Sequence, residues 1–428
     1  MAENMNSLRM GLSKITLITI AIVVIIIVIA GVWAYYAQQQ AVPKKLVVLA
    51  RSGTYAEGLK IAAEEYQKQK GVEVVVQELG YKELHDKLAT EMIEKTGAYD
   101  VVMMDDPWLA EFASQGFLED IGKMLEAKGI SIDPDFIPTT IEVCKYKGKL
   151  YALPYVGNVQ LFVYRKDLFE KFGLPEPKTW DNVLKAAKTI YEGEGGKVYG
   201  YVIRGKKGNP VVTNFLPIFW GYGARIVDET GKPTVYSDAA IKALKTFLEL
   251  KKYAPPGVEN YDSPEIKAAL YNGQTAMSIV WPAWVPALED PEKSKVAGKV
   301  AVTTTPGAKP MIGAWLLGIP VTSKSKDLAL DFILFVLSKD MQKKLALEAG
   351  VPPTRASVYL DDEVKAKYPW YPVQLEALKN AQPRPRLPQW SKVEDILANY
   401  IHQALTGALS PEEALKKAQE ELEKVLGG

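Results

Sequence analysis

The chain has 428 residues, of which 48% are hydrophobic and 24% charged, and its 52 Lys+Arg residues balance 51 Asp+Glu residues. This is the composition of a globular protein, and it carries no basic stripe of the kind that binds a nucleic-acid backbone. A single cysteine excludes an internal disulfide, and two histidines leave too few ligands for a zinc site within one chain. We therefore expect no nucleic-acid partner, no metal ion and no other cofactor.

The N-terminus contains a long apolar run without charged residues. Residues 15–36 are almost wholly apolar, and at about 1.5 Å per residue a helix of this length crosses a bilayer core. We predict a transmembrane or signal helix at 15–36, after a cytoplasmic or signal n-region at 1–14 and before a linker at 37–44. Positive charges flank both ends almost equally, so the rest of the chain must decide the orientation.

Two kinds of processing signal are compatible with this N-terminus. A secretory signal peptide has a shorter apolar region and a small-residue cleavage site, for which Ala30-Gly31 is only a weak match. The order Arg9-Met10-Gly11 before the apolar run resembles the pilin-like signal of archaeal surface proteins, which is cut after the glycine and keeps the helix. With either signal, the segment would anchor or export the domains that follow it.

Strand and helix patterns alternate after the linker. The predicted strands are residues 45–50, 72–79 and 100–104, and the helices between them are 57–69 and 82–95. Such alternation predicts a parallel sheet covered by helices. Ligands gather at the carboxyl ends of the strands in these sheets, so residues 51–55, 80–81 and 105–108 are expected to converge on one edge.

The middle of the chain, from about residue 155 to 307, is rich in turn residues and aromatic side chains and reads as a second lobe. Within it, Ser263 followed by a proline predicts a helix with Ser263 as its N-cap. Ser410 followed by a proline predicts the start of a terminal amphipathic helix.

Two adjacent carboxylates, Asp105 and Asp106, follow the third predicted strand. Adjacent residues on an extended chain point in opposite directions, so only one of them can serve a given pocket. A glycosidase needs a second carboxylate across the scissile bond, and none is evident in the sequence. A polar contact to a ligand is therefore favoured over acid–base catalysis, and a structural role stays open.

The aromatic composition favours rings that carry a polar group, with 9 Trp and 22 Tyr against 11 Phe. Such rings suit sugars, which combine an apolar face with a rim of hydroxyls. For any single ring, filling the core is the better interpretation. Trp220, Trp281, Trp284 and Trp315 nevertheless stand beside glycine or proline, in predicted loops where binding residues concentrate.

Ordered motifs in the second half resemble one known family. The sequence YALPYVGNVQLFVYRKDLFEKFGLPEPKTWDN, from Tyr151, resembles the central signature of the extracellular solute-binding proteins of ABC sugar importers. Further similar segments follow in order: FWGYGARIVDETGKPTVY from Phe219, YNGQTAMSIVWPAW from Tyr271, IGAWLLGIPVTSK from Ile312, GVPPTRASVY from Gly350 and PRPRLPQW from Pro383. The resemblance runs from Lys45 to the end of the chain and is closest to trehalose and maltose binders.

The resemblance implies an α/β, periplasmic-binding-protein-like fold, with two α/β lobes, a ligand cleft between them and the N-terminal transmembrane helix in addition. The implied boundaries are 45–154 for lobe 1, to which 313–355 returns, and 155–312 for lobe 2, on which the C-terminal helices of 358–428 pack. The chain is expected to cross between the lobes near Tyr155, Gly313 and Arg355.

The resemblance also implies the residues that contact the ligand, and none of them is catalytic. These are Asp105, Tyr155, Asn158, Trp281, Gly313, Trp315 and Arg384, with Tyr55, Trp220, Trp284 and Arg355 as second choices. The loop at 51–55 lacks the acidic residue that maltose and trehalose binders place there, which leaves the identity of the sugar open.

The function implied is a receptor on the outer face of the cell membrane, held by a single-pass helix. It would capture a mono- or oligosaccharide by lobe closure and deliver it to the permease subunits of an ABC importer, without acting as an enzyme. A binder of peptides or polyamines and a surface glycoside hydrolase remain as alternatives. Assembly of the N-terminal helices into a filament is compatible with the receptor.

Overall fold

The computed structural model of the chain describes residues 22–32 and 45–427. In chain order its strands are β1 (Lys45–Arg51), β2 (Glu73–Leu79), β3 (Val101–Asp105), β4 (Lys145–Tyr146), β5 (Lys149–Leu150), β6 (Ala152–Val156), β7 (Leu161–Arg165), β8 (Met277–Val280), β9 (Val300–Thr304) and β10 (Trp315–Gly318).

The helices fall into two groups along the chain. The first are α1 (residues 22–32), α2 (Thr54–Lys70), α3 (Tyr81–Glu94), α4 (Leu109–Ser114), α5 (Ile121–Ala127), α6 (Pro138–Glu142), α7 (Lys166–Lys171), α8 (Trp180–Gly193), α9 (Asn209–Gly221) and α10 (Asp238–Lys251). The second are α11 (Ser263–Tyr271), α12 (Val285–Leu288), α13 (Lys326–Val336), α14 (Lys339–Ala349), α15 (Ala356–Tyr359), α16 (Asp362–Lys367), α17 (Tyr371–Lys379), α18 (Trp390–Leu405) and α19 (Pro411–Leu426).

The first lobe is built on a five-stranded mixed sheet in the order β2-β1-β3-β10-β6. Strands β1, β2 and β3 are parallel, as the alternating pattern predicts, whereas β10 runs antiparallel to both β3 and β6. Strand β3 is buried along its whole length, which explains its continuous apolar run. The carboxyl ends of β1 and β3 therefore reach the same edge of the sheet as the first residue of β10.

Helix α2 shows how local sequence and packing agree in this lobe. Its buried residues Ala56, Leu59, Ala63 and Tyr66 recur at helical spacing and face the sheet. It ends at Gly71, whose positive φ of 66° closes the last turn at little steric cost.

The second lobe contains a three-stranded antiparallel sheet in the order β8-β7-β9. Helix α11 in this lobe begins with a capping box in which Asp262 accepts from Ser263 N–H and Glu265 reaches back to the Asp262 N–H. The prediction of Ser263 as the N-cap was wrong by one residue, because the aspartate side chain takes that role. Ser410 caps α19 as predicted.

Three chain segments lie side by side where the lobes join. Gly313 N donates to Asn158 O at 2.9 Å, and Gln382 N donates to Pro310 O at 2.7 Å. The chain thus crosses after β6, before β10 and after α17. The crossing predicted at Arg355 was wrong, because that guanidinium is held inside the first lobe by Asp133.

The C-terminal helices divide between the two lobes. Helices α15 and α16 pack against α14 of the first lobe, whereas α18 packs against α9 and α19 packs against α10 in the second. Helix α17 contacts β9 of the second lobe as well as α6 and α15. The prediction that all of 358–428 packs on the second lobe therefore does not hold for α15 and α16.

Helix α1 is exposed along its whole length. Residues 15–21 and 33–36 of the predicted transmembrane segment lie outside the described residues. Within 22–32 and 45–427, no helix combines the length and the apolar character needed to cross a bilayer.

Candidate functional site

A cavity of about 440 Å³ lies between the two lobes, next to the three crossing segments. Its first-lobe wall consists of residues at the sheet edge described above, and its second-lobe wall consists of helix starts and the turn after β8. The lining residues are Arg51, Tyr55, Tyr81, Asp105, Asn158, Arg204, Asn209, Pro210, Thr213, Asp262, Ser263, Pro264, Trp281, Ala283, Trp284, Gly313, Trp315 and Arg384. Its volume and mixed lining are those of a small-molecule site.

The first-lobe wall is aromatic. Trp315 is only 6% exposed, and its ring centroid lies 5.9 Å from that of Tyr55 and 6.0 Å from that of Tyr81. Behind it, Trp108 packs edge to face at 5.8 Å. These contacts hold the Trp315 ring in one orientation, so that wall is a rigid platform.

Trp281 closes the cavity at the crossing segments. A β-carbon on Gly313 would lie 2.8 and 2.9 Å from two carbons of the Trp281 ring, so only glycine allows the ring to lie this close to the backbone. Trp281 and the neighbouring Trp284 are both half-buried. The second lobe thus contributes two indole rings opposite the platform of the first.

We expect Gly313→Ala to weaken ligand binding by about 1–3 kcal/mol, because the added methyl group overpacks against the Trp281 ring. Gly313 is outside the positive-φ positions, so alanine adds no backbone strain. Titration calorimetry measures the loss. In a Trp281→Ala background, the Gly313→Ala change is expected to cost far less, and full additivity of the two losses would contradict the clash.

A buried ion network lies at the base of the cavity. The Arg384 guanidinium is 2% exposed and donates to Asp105 Oδ1 and Oδ2 at 2.8 and 3.0 Å and to Asp106 Oδ2 at 2.8 Å. Tyr81 O–H donates to Asp105 Oδ2 at 2.8 Å. Arg386 donates to the backbone oxygen of Asp106. The network locks the Asp105 carboxylate in the cavity wall.

Burial raises the pKa of Asp106 to about 6, with the Asp105 carboxylate adding to the rise and Arg384 opposing it. Tyr81 is also buried, and desolvation together with Asp105 raises its pKa well above the usual value. The raised pKa keeps Tyr81 a neutral donor, as its hydrogen bond to Asp105 requires.

A second ion pair lines the opposite wall. Arg204 Nε donates to Asp262 Oδ1 at 2.8 Å, and Arg204 Nη1 donates to Thr213 Oγ1 at 3.1 Å. Asp262 also caps α11, so the pair is fixed to the start of that helix. Arg204 lowers the pKa of Asp262 against the effect of its partial burial, which keeps the carboxylate charged.

Glu394 of α18 lies behind the cavity wall and is 9% exposed. Asn209 Nδ2 donates to its Oε1 at 2.9 Å and approaches Tyr81 Oη at 3.4 Å, so one amide links the two lobes. Desolvation raises the pKa of Glu394 to about 7, with Asp105 raising it further and Arg384 lowering it.

We expect Glu394→Gln to flatten the pH dependence of stability. A folded-state pKa near 7, above the ordinary 4.5, means that this group stabilises the fold below about pH 4.5 and that the contribution is lost as pH rises through 7. The free energy of unfolding of the glutamine variant, measured relative to that of the wild type, should therefore be higher at pH 8 than at pH 4 by on the order of 3 kcal/mol. Urea unfolding at the two pH values measures this, and parallel pH profiles would contradict it.

The structure brings most of the predicted ligand contacts into one cavity. Those that line it are Asp105, Asn158, Trp281, Gly313, Trp315 and Arg384, and of the second choices Tyr55 and Trp284. The buried Asn158 Oδ1 has no hydrogen-bond partner among the described residues, so it is available as an acceptor.

Three predicted contacts lie elsewhere. Tyr155 is buried under α2 and its O–H donates to Tyr55 O at 2.9 Å, because its side chain points away from the cavity. Trp220 lines a separate cavity of about 490 Å³ beside residues 223–229. Arg355 pairs with Asp133 and Asp135 inside the first lobe. None of these three residues lines the inter-lobe cavity.

Seven polar residues of the wall were not predicted as ligand contacts: Arg51, Tyr81, Arg204, Asn209, Thr213, Asp262 and Ser263. Arg51 and Tyr81 had a usable signal, because both stand in the loops expected to converge at the sheet edge. No sequence signal marks Arg204, Asn209 or Asp262 as site residues, since their positions depend on how the second lobe folds.

Comparisons with known proteins identify relatives for most of the chain. A family model described as bacterial extracellular solute-binding protein matches residues 52–343. A probable amino-acid ABC transporter periplasmic-binding protein of Sinorhizobium fredii is 28% identical over 392 residues, covering 90% of this chain and 89% of its own.

Solved structures show the same architecture. A solute-binding protein from Agrobacterium radiobacter in complex with ribitol superimposes with a TM-score of 0.82 at 29% identity, covering 89% of this chain and 98% of the other. A maltose-bound protein from T. maritima gives 0.80 at 32% identity, covering 89% of this chain and all of the other.

Proposed function

Because this chain belongs to the bacterial extracellular solute-binding protein family, we propose that it captures a mono- or oligosaccharide outside the cytoplasm and delivers it to the permease of an ABC importer. The observation that carries the proposal is the inter-lobe cavity, in which Trp281 and Trp284 of one lobe face Trp315 and Tyr55 of the other. Indole and phenol rings on both walls match the apolar faces of a sugar ring.

The polar groups of the cavity suit hydroxyls. Asp105 accepts and Arg384 donates, and each is oriented by the other, so neither needs to reorganise when a ligand arrives. Asn158 adds a buried carbonyl acceptor without a partner in the described part of the chain. A sugar hydroxyl that donates to this oxygen would remove the cost of leaving it unsatisfied.

Capture by lobe closure follows from the two-sided wall. The ligand contacts both lobes at once, so its binding energy favours the arrangement in which they approach each other. The approach of Asn209 to Tyr81 across the cavity supplies a direct contact between the lobes in that arrangement. The closed surface of both lobes is what we propose the permease recognises.

The protein releases its ligand unchanged in this proposal. Glycoside hydrolysis needs one carboxylic acid that protonates the leaving group and one carboxylate opposite it. The two carboxylates lining the cavity, Asp105 and Asp262, are each paired with a guanidinium. Arg204 holds the pKa of Asp262 below its usual value, so this carboxylate is a poor proton donor. A labelled disaccharide is expected to be recovered intact after incubation with the protein.

We further propose that residues 15–36 anchor the protein as a single-pass helix, with both lobes on the outer face of the membrane. The hydrophobic core is formed between Leu46 and Leu422 without contribution from α1. A variant lacking residues 1–44 is therefore expected to leave the membrane fraction, fold, and bind the same ligand with unchanged affinity. Fractionation and calorimetry measure both effects. A truncated chain that still sediments with membranes would contradict the anchor.

A thermal-shift screen of the full-length chain in detergent tests the proposal as a whole. Binding to the folded state raises the melting temperature by mass action. We expect a selective rise with a monosaccharide, disaccharide, trisaccharide or sugar alcohol. Silence across these compounds, with a rise for amino acids, peptides or polyamines, would overturn the sugar and keep the binding fold.

A further inference from the structure

The cavity lining contains three guanidinium groups but only two carboxylates. Asp262 compensates Arg204 at 2.8 Å, and Asp105 compensates Arg384 at 2.8 Å. Asp262 is also approached by Lys206 at 3.7 Å, and Asp106 is shared between Arg384 and Arg386. The neighbouring carboxylates are therefore already committed to other cations. The third guanidinium, that of Arg51, has no counter-ion among the residues that the structure describes.

Arg51 is the last residue of β1, at the sheet edge that forms the first-lobe wall. Its Nη1 donates to Ser52 O at 3.2 Å and to Ser52 Oγ at 2.5 Å. Within residues 45–427, no carboxylate oxygen lies within 4.0 Å of its guanidinium. The group has five N–H donors, so most of its donor capacity is available to a ligand.

We propose that Arg51 binds an anionic substituent of the ligand, so that the captured solute is an acidic sugar bearing a carboxylate or a phosphate. This inference rests on the proposed function. Closing the lobes removes water from the cavity, and an unpaired charge that loses its water is strongly disfavoured. An oxyanion is the acceptor that fits the planar guanidinium best, through two parallel N–H···O bonds.

The surroundings of Arg51 complete a site for such a sugar. Tyr55 follows it on the same loop, and Trp315 lies beside Tyr55, so an aromatic platform adjoins the free cation. A sugar ring stacked there has apolar contact on one face and a charge partner at the edge of the sheet. The two ion pairs of the cavity, Arg384–Asp105 and Arg204–Asp262, are left to recognise its neutral hydroxyls.

Titration calorimetry on the full-length chain in detergent, with matched ligand pairs, tests this assignment. The neutral members are glucose, galactose, maltose and lactose, and their acidic counterparts are glucuronate, galacturonate, maltobionate and lactobionate, with glucose 6-phosphate as the phosphate arm. We expect an acidic ligand to bind about tenfold or more tightly than its neutral counterpart. Raising the salt concentration should narrow this difference, because salt screens the charge interaction.

Arg51→Gln is the matching variant, and Arg225→Gln is its control. Arg225 is exposed on the second lobe and pairs only loosely with Glu229 at 3.5 Å, so the control removes the same charge away from the cavity. Arg51→Gln should lose the preference for the acidic ligand and keep its melting temperature, since the hydrogen bonds of this side chain within the described residues go only to the neighbouring Ser52. Arg225→Gln should keep the preference.

Two results would overturn the assignment, and they differ in what else they affect. If the neutral sugars bind as tightly as their acidic counterparts or more tightly, the assignment of an acidic ligand is overturned, whereas the proposed function as a sugar receptor stands. If no sugar binds, acidic or neutral, both the proposed function as a sugar receptor and this inference are overturned. A preference for acidic ligands that survives in Arg51→Gln would also overturn it, because another cation would then be responsible.

Discussion

Replacement of Arg384 by alanine is expected to destabilise the fold by about 3–5 kcal/mol, the typical cost of leaving a buried charge without its partner. The guanidinium is 2% exposed and is bonded to two carboxylates, of which Asp106 is fully buried. Its removal leaves both acids close together in a desolvated site. Urea unfolding of the full-length chain in detergent measures the loss.

The pH profile of Arg384→Ala distinguishes loss of charge from loss of packing. Asp106 has a folded-state pKa of about 6 although Arg384 opposes the rise, so removal of the arginine raises that pKa further. A raised folded pKa stabilises at low pH and loses this contribution as pH rises through it. The free energy of unfolding of the variant should therefore be closest to that of the wild type near pH 4, and the difference between them should be largest above pH 7.

Two controls accompany this variant. Arg225→Ala removes an exposed arginine and should change stability by less than about 0.5 kcal/mol. Adding Asp106→Asn to Arg384→Ala should recover part of the loss, because it removes one uncompensated charge. A loss below about 1 kcal/mol at pH 8, or one independent of pH, would show that the network contributes little through its charges.

Replacement of Trp281 by alanine is expected to weaken ligand binding by about 1–3 kcal/mol, which corresponds to roughly 5- to 150-fold in affinity. The ring is half-buried at the closed end of the cavity and covers Gly313. Because the ring is only partly buried, its removal deletes few packing contacts within the protein. The melting temperature should therefore change much less than the ligand affinity. Calorimetry and thermal melting separate the two effects.

Trp315→Ala should behave differently from Trp281→Ala. Its ring is packed by Tyr55, Tyr81 and Trp108, so truncation should lower both affinity and the melting temperature. Tyr236→Ala serves as the control, because that ring is 46% exposed outside the cavity and should affect neither. Unchanged affinity in both tryptophan variants would remove the aromatic rings from the ligand site.

The family and the receptor architecture could be predicted from the sequence because several motifs occur in a fixed order. The family match over residues 52–343 and the solved solute-binding proteins that superimpose on most of the chain confirm that prediction. The start of the first lobe was predictable for a physical reason as well. Its strands and helices have clear apolar periods, and α2 and β3 occur where these periods predict them.

The individual site residues were predictable only where a motif or a strand end marked them. Trp281, Gly313 and Trp315 lie in such motifs, and all three line the cavity. Tyr155 lies in a motif too, but its position on β6 turns the ring under α2, away from the cavity. A motif identifies the segment that reaches the cleft, whereas the direction of each side chain depends on strand register.

By itself, the sequence determined the apolar N-terminal segment, the alternating elements of the first lobe and the capped terminal helix. These features depend on neighbours within a few residues, and such local patterns can be recognised directly in the sequence. Only the tertiary structure decided that Arg384 pairs with carboxylates 278 and 279 residues away. It also decided that Arg51 has no carboxylate partner within the described ranges 22–32 and 45–427. Charge pairing depends on which side chains share a desolvated space, and that is settled when the two lobes and their three crossings pack together.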